Sequence, residues 1–428
     1  MRSNFEITQI DNTTRMKNLH TLQEPKCLIA SIALVLCVAI GMRLLWVFCV
    51  GVEPVSDGVM YREFAQSIAT GAGYAYPDGQ LTVYWAVGAS AFYAVLKHLF
   101  GFSEWSIVLA NLAIGVGVVW LTYLIALRYF DEFVANKAAW IVALWPVLIQ
   151  FTTVYASELL FIFLLLAALY VWGANAGSAL VRAVIWGALL CGAVYVRPTA
   201  MPLFFALPTV YLLHTRDIKG AVVSLCVAVL TAGLFLAPWV LRNQQVFGSP
   251  VLVSANFGSN LWMGNNPQST GAYMPLPDIY FADEIARDQY FKAQAMEFIK
   301  ANPLEYAKLA IRRVVITYDR ETIGVAWNEP ALRRVVGERG LTVVKAISTG
   351  FWWLVVVFAL VGIALAFWRR WVGLFHPLLV VMGVFFIVPV LTVGQDRYHL
   401  PLNPFLAIFA AYAMHMLSQR LGNYKKTR

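Results

Sequence analysis

The sequence predicts an all-α polytopic membrane protein with about ten transmembrane helices, outer-face interfacial helices and a small, mostly helical periplasmic subdomain. Of its 428 residues, 60% are hydrophobic and only 13% are charged. A bilayer core requires about 20 apolar residues per crossing helix, and apolar runs of that kind recur along the chain. This composition excludes a disordered chain, a collagen and a disulfide scaffold.

Ten apolar runs are predicted to cross the membrane, which places both termini on the same side. Their boundaries are 27–50, 106–127, 136–153, 157–173, 183–197, 199–214, 220–239, 345–367, 373–392 and 399–418. The segments on the side of the termini then account for the formal net charge of +9. Cytoplasmic loops carry the excess of Lys and Arg, so we expect cytoplasmic termini and no nucleic-acid partner; a bacterial inner membrane is what the family resemblance given below implies.

These spans also define the predicted domains. They are a cytoplasmic segment 1–26, a transmembrane catalytic module 27–239 with first outer loop 51–105, a periplasmic subdomain 240–344, C-terminal transmembrane helices 345–418 and a cytoplasmic tail 419–428. The 240–344 segment is too long for a bare loop. Its pattern predicts two amphipathic helices that are separated at Asn302-Pro303. In the first outer loop we expect one helix between Gly58 and Ala69.

The apolar run 82–100 does not fit the alternation of the other spans. If it crossed the membrane, Arg128 and Lys137 would lie outside, against the charge rule. We therefore place it at the outer interface, where residues such as Tyr84 and Trp85 are favoured. The alternative is an eleventh crossing.

Ionisable residues lie at the predicted outer ends of several spans. Such groups near hydrocarbon need a partner or a water-filled cavity, so they are candidate functional residues. Glu158 at a helix start also suits the helix dipole without any function, and Arg197 could simply extend to lipid headgroups. A shared outer cavity is the functional interpretation of the set, which comprises Asp57, Arg62, Glu158, Arg197, Asp396, Arg397 and His399.

Short motifs follow one another in a definite order. They are Ser56-Asp57 with Tyr61 and Gly71-Ala72-Gly73-Tyr74, Tyr155-Ala156-Ser157-Glu158, Tyr195-Val196-Arg197-Pro198-Thr199, Pro238-Trp239 with Leu241-Arg242-Asn243, Asn260-Leu261-Trp262-Met263-Gly264-Asn265-Asn266-Pro267, and Arg397-Tyr398-His399-Leu400-Pro401. Their order and spacing resemble the GT-C superfamily of polyprenyl-phosphate-dependent membrane glycosyltransferases. Within it, the chain is similar to the bacterial relatives of protein O-mannosyltransferases and of the lipid A aminoarabinose transferase.

The resemblance implies a GT-C-like fold, a catalytic aspartate at Asp57, an acidic partner at Glu158 and basic groups near a donor phosphate. One element departs from the family pattern. Relatives often carry a basic or Pro-Pro-Gly element where this chain has 83–88, and of that element only Gly88 is present. This departure assigns the phosphate contact to arginines elsewhere in the chain.

The implied reaction transfers a sugar from a polyprenyl-phosphate-linked donor to a lipid-linked glycan, lipid or protein acceptor on the periplasmic face, with inversion. A carboxylate such as Asp57 can take the proton of the acceptor hydroxyl. Guanidinium groups suit the leaving phosphate, with Arg397 as the first candidate and Arg242 as the second. The other candidates for the phosphate site are Arg197, Tyr398 and His399.

Sugar or acceptor contacts are predicted for Tyr61, Trp262, Asn265 and Asn266. Asp57 and Glu158 together could hold a divalent cation, Mg²⁺ or Mn²⁺, through oxygen ligands. A polyprenyl-lipid flippase or transporter is the alternative function. Such proteins commonly show repeated halves and broken helices, and we expect neither feature in this sequence.

Overall fold

A computed structural model describes residues 25–101, 103–174 and 177–426 of the chain. This part is helical and contains no β-strand beyond isolated bridges. Its helices are α1 (Pro25–Val50), α2 (Asp57–Ala69), α3 (Gly88–Phe100), α4 (Glu104–Tyr129), α5 (Glu132–Ala143), α6 (Pro146–Gln150), α7 (Glu158–Trp172), α8 (Ala179–Val196), α9 (Leu203–Thr215), α10 (Ile218–Phe247), α11 (Phe257–Gly264), α12 (Glu284–Ala301), α13 (Pro303–Tyr318), α14 (Ile323–Ala326), α15 (Glu329–Trp368), α16 (Pro377–Leu391) and α17 (Asn403–Lys426).

The apolar helices confirm the predicted class of polytopic all-α membrane protein. Six helices in the described part are long and apolar enough to cross a bilayer, namely α1, α4, α8, α10, α15 and α17. Helices α7 and α16 are apolar but shorter. The number of ten crossings stays a prediction, and so does the side on which the termini lie.

One span is broken. Helix α5 and the segment Pro146–Thr153 pass the length and hydropathy criteria together but are bent by 56° at the break between them. The break precedes Pro146, which lacks an amide hydrogen and cannot continue the preceding helix. The bent pair is a broken span or a re-entrant segment, so the expectation that this chain has no broken helix is not confirmed.

The run 82–100 forms the helix α3 only from Gly88 onward. Its 13 residues correspond to a length of about 20 Å, which is shorter than the roughly 30 Å of a bilayer core. Helix α3 is therefore too short to cross a bilayer by itself, and the placement of 82–100 at the outer interface stays a prediction. Lys97 at its end is only 2% exposed, so this basic side chain is directed into the protein.

The outer segment 240–344 is continuous with the helices on both sides. Helix α10 continues into the predicted outer segment as far as Phe247, and α15 already begins inside that segment at Glu329. Helix α15 has a local break at Gly337, where φ is 65°. The helix predicted after Gly58 and the two helices predicted around Asn302-Pro303 are confirmed as α2, α12 and α13. The domain boundaries themselves remain a prediction.

The first outer loop is attached to the outer segment through Glu284, the first residue of α12. Its carboxylate accepts hydrogen bonds from the Thr82 hydroxyl at 2.9 Å and from the Val83 amide at 2.8 Å. From the outer segment, the Ala255 amide also donates to the Val83 carbonyl at 2.8 Å. These contacts hold residues 82–87 above the membrane helices, next to the cavity described below.

A buried polar network attaches the loop before α17 to the helix bundle. Glu321 is fully buried and accepts hydrogen bonds from Trp145 at 2.8 Å, Asn403 at 2.9 Å and His399 at 3.2 Å. Asp396 accepts from the Thr322 amide at 3.0 Å. Both ends of the 396–399 loop are thus attached to residues 321–322, and this attachment positions Arg397, which lies between them.

Candidate active site

A cavity of about 820 Å³ lies where the first outer loop, the ends of several membrane helices and the outer segment meet. One wall is apolar and comes from α16, with Phe385, Val388 and Pro389. The polar and aromatic lining includes Asp57, Tyr61, Tyr84, Trp85, Ser157, Arg197, Asn256, Asn260, Tyr273, Arg397 and Tyr398. A site with an apolar wall and a few convergent polar groups is typical of a binding pocket for an amphipathic ligand.

Asp57 and Arg397 form an ion pair in this cavity. The Asp57 Oδ2 atom accepts from Arg397 Nη1 at 2.6 Å, and the two side chains are 28% and 15% exposed. Asp57 begins α2 directly after Ser56, whose φ of 50° is uncommon for a residue other than glycine. Arg397 is oriented further by Gln395, whose Oε1 accepts from Arg397 Nε at 2.7 Å, and by the ring of Trp327.

The environment of Arg397 keeps its guanidinium charged. Burial acts to lower its pKa, but Tyr398, Asp57 and Glu158 act in the opposite direction and the net shift of the pKa is upward. A cation at this position is therefore permanent at any physiological pH, which suits a group that must stabilise a phosphate.

Glu158 and Arg197 form a second pair next to the first. Arg197 ends α8 in an extended conformation, because the following residue, Pro198, disfavours a helical one. Its Nη2 is paired with the Glu158 carboxylate, while its Nε donates to Ser157 Oγ at 2.9 Å. Glu158 is 1% exposed, so its charge is compensated within the protein rather than by water.

Gly88 explains how the first outer loop can approach this pair. A Cβ atom on Gly88 would lie 2.5 Å from the backbone carbon of Tyr195 and 2.7 Å from the amide of Val196. The absence of a side chain therefore allows the start of α3 to pack directly on the last turn of α8, just before Arg197. This contact gives a structural reason for the one residue that this region shares with the family element.

Tyr61 lies on α2, near enough to Asp57 and Glu158 for both negative charges to act on it. Burial, together with the negative charge of Glu158, raises the pKa of Tyr61 to about 12. The phenol therefore stays protonated at neutral pH and can donate a hydrogen bond to a ligand.

Five predicted site residues line the cavity: Asp57, Tyr61, Arg197, Arg397 and Tyr398. Glu158 lies against it through its pair with Arg197. The structure thus brings together residues from α2, α7, the end of α8 and the loop before α17. Of the set predicted to share the cavity, Arg62, Asp396 and His399 do not line it, and Arg62 is paired with Glu104 at 3.1 Å instead.

Arg242 is located elsewhere. Its guanidinium donates to the backbone carbonyls of Thr82 at 3.0 Å and Tyr74 at 3.3 Å and lies over the ring of Trp239. These hydrogen bonds occupy the guanidinium group of Arg242 and attach the first outer loop to α10. The expected phosphate contact from Arg242 is therefore not supported by its position.

His399 is also located elsewhere. It is fully buried, its Nδ1 is 2.6 Å from the Thr317 carbonyl, and its ring stacks on Trp352 at 3.9 Å. The expected phosphate contact from His399 is therefore corrected: its side chain supports the loop that carries Arg397 and does not reach the cavity.

The predicted contacts in the Asn-Asn-Pro region are structural as well. Trp262 packs on Phe291 with ring centroids 5.0 Å apart. Asn265 donates to the carbonyl of Leu261 at 2.8 Å, and Asn266 donates to the carbonyl of Trp262 at 2.8 Å. Both amides are buried and complete the C-terminal end of α11, so these three residues do not line the cavity.

The cavity instead uses neighbours that sequence reasoning passed over. Asn256 and Asn260 line it from the start of α11, Tyr273 from the loop that follows, and Tyr84 and Trp85 from the first outer loop. Asn260 stands at the first position of the motif from which Trp262, Asn265 and Asn266 were chosen. The helical spacing of that motif was the available signal, because residues on one face of α11 point to the cavity and those on the other face to the core.

Comparisons with known proteins bear on this arrangement. A family model described as dolichyl-phosphate-mannose-protein mannosyltransferase (PMT_2) matches residues 86–241. A search of curated protein sequences finds no match. Among solved structures, the archaeal oligosaccharyltransferase AglB from Archaeoglobus fulgidus, in complex with an inhibitory peptide and a dolichol-phosphate, matches 94% of this chain at 15% identity with a TM-score of 0.56.

A second structure of the Archaeoglobus fulgidus oligosaccharyltransferase, tethered with an acceptor peptide, matches 95% of this chain at 14% identity and a TM-score of 0.56. The chain spans about half the length of these relatives, 51% in both cases. Nearly all of the present chain is therefore accounted for by one shared fold. The chain thus has the fold of the Archaeoglobus fulgidus oligosaccharyltransferase over nearly its whole length.

One further solved structure is relevant to a metal in this chain. A further Archaeoglobus fulgidus oligosaccharyltransferase structure, with a TM-score of 0.55, 15% identity and coverage of 91% of this chain and 49% of that one, is a complex with Zn and sulfate. In the present chain, the described residues contain no group of three or more His, Cys, Asp or Glu placed to hold a metal ion. Asp57 and Glu158 are each paired with an arginine instead.

A divalent cation at these two carboxylates would have to displace both arginines and would gain at most two protein ligands. The donor set therefore does not fit the predicted Mg²⁺ or Mn²⁺ site, since Asp57 and Glu158 are already neutralised by Arg397 and Arg197. The arginines supply the positive charge that the sequence interpretation assigned to a metal.

Proposed function

We propose that this protein is a membrane glycosyltransferase of the GT-C superfamily that moves a sugar from a polyprenyl-phosphate-linked donor to a hydroxyl group of a glycan, lipid or protein acceptor on the periplasmic face. The single observation that carries the proposal is the Asp57–Arg397 pair, a base and a phosphate-binding cation in contact within one cavity. The match to the mannosyltransferase family model over residues 86–241 supports it. So does the dolichol-phosphate bound to the AglB relative.

The shape of the cavity suits a lipid-linked donor. Its α16 wall and the neighbouring Met201 and Pro202 are apolar and can accommodate the first isoprene units. Arg397 and Arg197 lie at the polar side, where the phosphate of such a donor would be bound through charge-assisted hydrogen bonds. We assign phosphate binding to these two arginines, with Tyr398 beside Arg397.

Asp57 acts as the general base. As the acceptor oxygen attacks the anomeric carbon, its proton passes to the Asp57 carboxylate. The bond between the anomeric carbon and the phosphate oxygen breaks, and its electron pair stays on the phosphate. The attacking oxygen enters opposite the leaving phosphate, so the anomeric centre inverts.

The Asp57–Arg397 pair keeps the charge of the site constant through this step. Asp57 loses one negative charge when it is protonated, and the released polyprenyl phosphate gains one. Arg397, which pairs with Asp57 in the resting protein, can then pair fully with the phosphate. The cation is thus already in place where negative charge develops, which is the condition for electrostatic stabilisation of a transition state.

The test of this proposal uses the purified full-length chain in mild detergent and undecaprenyl phosphate as the probe. We expect wild type to retain this lipid in native mass spectra in preference to phosphatidylglycerol. Arg397→Ala should weaken retention by at least about tenfold, because a charge-assisted hydrogen bond is lost. Arg312→Ala removes an exposed arginine of the outer segment and serves as the matched control.

Transfer is measured with a synthetic undecaprenyl-phosphoryl-hexose and a membrane extract that supplies acceptors. Wild type and Arg312→Ala should release undecaprenyl phosphate, and Asp57→Asn should not. If wild type shows no preference for undecaprenyl phosphate over phosphatidylglycerol, the donor class is wrong. If Asp57→Asn transfers at the wild-type rate, Asp57 is not the base.

A further inference from the structure

We infer that Tyr93 is a positioning residue: its buried hydroxyl holds the backbone that presents Glu158 to Arg197, and through this pair it sets the affinity of the cavity for a phosphate. The inference rests on the proposed function, since it concerns the phosphate of the same ligand. Tyr93 lies on α3, is only 1% exposed and does not itself line the cavity.

The backbone before Glu158 is irregular and buried. Residues 154–157 connect the bent pair, α5 and Pro146–Thr153, to α7 without forming a helix or a strand, and all four of them are buried. Water cannot reach amides and carbonyls in such a position, so these groups need partners within the protein. This connection keeps one conformation only where nearby side chains supply those partners.

Tyr93 binds both backbone groups of one residue in this connection. Its hydroxyl donates to the Ala156 carbonyl at 2.8 Å and accepts from the Ala156 amide at 3.2 Å. Its ring packs edge-on against Tyr155, with ring centroids 5.1 Å apart. Asn111 of α4 acts on the same connection, because its Nδ2 atom donates to the Val154 carbonyl at 3.0 Å. The Tyr93 hydroxyl therefore fixes the residue that lies two positions before α7.

Helix α3 also contacts the other half of the pair. Gly88, its first residue, packs on the last turn of α8 just before Arg197. Tyr93 follows five residues later in the sequence, which corresponds to about 7.5 Å along a helix axis. One short helix thus contacts the backbone next to Arg197 and the backbone next to Glu158. The relative position of the two charged groups therefore depends on α3.

The connection carries both partners of Arg197. The Nε atom of Arg197 donates to Ser157 Oγ at 2.9 Å, and its Nη2 atom is paired with Glu158. On another side, a Cβ atom on Gly58 would lie 3.3 Å from the Tyr155 carbonyl oxygen, so the start of α2 packs on the same backbone. A shift of the connection would displace the partners of Arg197, and with them the guanidinium that faces the cavity.

The first measurement does not need a ligand. Tyr93→Phe removes the hydroxyl and keeps the ring, so the Ala156 amide loses its acceptor and should exchange its hydrogen at least about tenfold faster. Exchange is followed by mass spectrometry on a peptide covering 151–161 of the full-length protein in mild detergent. Tyr123→Phe is the matched control, because Tyr123 is also buried, stacks on Trp120 and does not line the cavity.

The second measurement is the binding of undecaprenyl phosphate in native mass spectra. Tyr93→Phe should weaken binding by about fivefold, and Tyr123→Phe should leave it unchanged. In an Arg197→Ala background, Tyr93→Phe should change binding by less than about twofold, because mutations of coupled residues are not additive. Since Arg197→Ala leaves Glu158 without its partner, Glu158→Gln provides a second background that keeps the size of the side chain, and the same result is expected there.

The outcomes separate this inference from the proposed function. If wild type shows no preference for undecaprenyl phosphate over phosphatidylglycerol, the proposed function fails, and the effect on phosphate affinity fails with it. If wild type binds the lipid but Tyr93→Phe binds it like Tyr123→Phe, the inference alone is overturned, however the backbone exchanges.

Equal weakening by Tyr93→Phe in wild type and in both backgrounds would also overturn the inference, because Tyr93 would then support the fold and not the pair. Faster exchange at 151–161, together with weaker binding that disappears in both backgrounds, establishes the positioning role.

Discussion

Neutralising Asp57 should strengthen the binding of a polyprenyl phosphate while it abolishes transfer. In the resting site the Asp57 carboxylate occupies Arg397 at 2.6 Å. A phosphate bound in the cavity must compete with this carboxylate for the same guanidinium. Asp57→Asn removes the competing charge, keeps the size of the side chain and leaves Arg397 free for the phosphate.

The size of the effect follows from the geometry of the pair. A hydrogen bond to a charged group contributes about 1.5–3 kcal/mol, which corresponds to about 10- to 150-fold in a dissociation constant. Asp57 is 28% exposed and Arg397 is 15% exposed, so solvent screening places the gain toward the lower end, about tenfold. Transfer should fall by about 10²- to 10⁴-fold, because the general base is lost.

The assay is a titration of undecaprenyl phosphate onto wild type and Asp57→Asn, read out by native mass spectra, together with the transfer rate. Asp78→Asn is the matched control, because Asp78 is an exposed carboxylate of the same loop whose bond to the Gln80 amide an asparagine can preserve. The reasoning is refuted if Asp57→Asn binds the lipid no more tightly than Asp78→Asn, because Asp57 would then not compete for Arg397.

Three further outcomes are expected. Glu321→Ala removes the acceptor of three buried hydrogen bonds and should lower the free energy of unfolding by about 3–5 kcal/mol, measured by denaturation in mixed micelles; an unchanged midpoint would contradict this. Gly362→Ala places a Cβ 1.9 Å from the Phe409 carbonyl and should cost about 1–3 kcal/mol, despite a helix-propensity gain, in the same assay. Because burial and Glu158 raise the pKa of Tyr61 to about 12, its phenol remains neutral as pH rises to 10, and the rate–pH profile of Tyr61→Phe should match wild type in shape over that range.

The class of the protein and the positions of its helices could be predicted because they depend on local properties. Hydropathy over about 20 residues decides whether a helix can reside in a bilayer. Charges and turn residues decide where the helices end, as at Asp57 and at Asn302-Pro303. The prediction was weakest at 82–100, where aromatic and apolar residues suit an interface and a core equally well.

The site could be predicted only in part. Asp57, Glu158, Arg197 and Arg397 were identified because charges at the ends of apolar spans require compensation. Their mutual pairing was not predictable, since Asp57 and Arg397 are separated by most of the chain. The pairing also argues against the expected metal site, because each of the two carboxylates is neutralised by an arginine.

The sequence by itself determined that this chain resides in a membrane and where its helices lie, because hydropathy is a property of each segment separately. It also determined which acidic and basic residues near the membrane require a partner of opposite charge. Only the tertiary structure decided which arginine faces the cavity. Arg242 and Arg397 are chemically identical, yet one binds the backbone carbonyls of the first outer loop and the other binds Asp57. The direction of a side chain is set by packing between segments distant in sequence, and a hydropathy pattern carries no information about it.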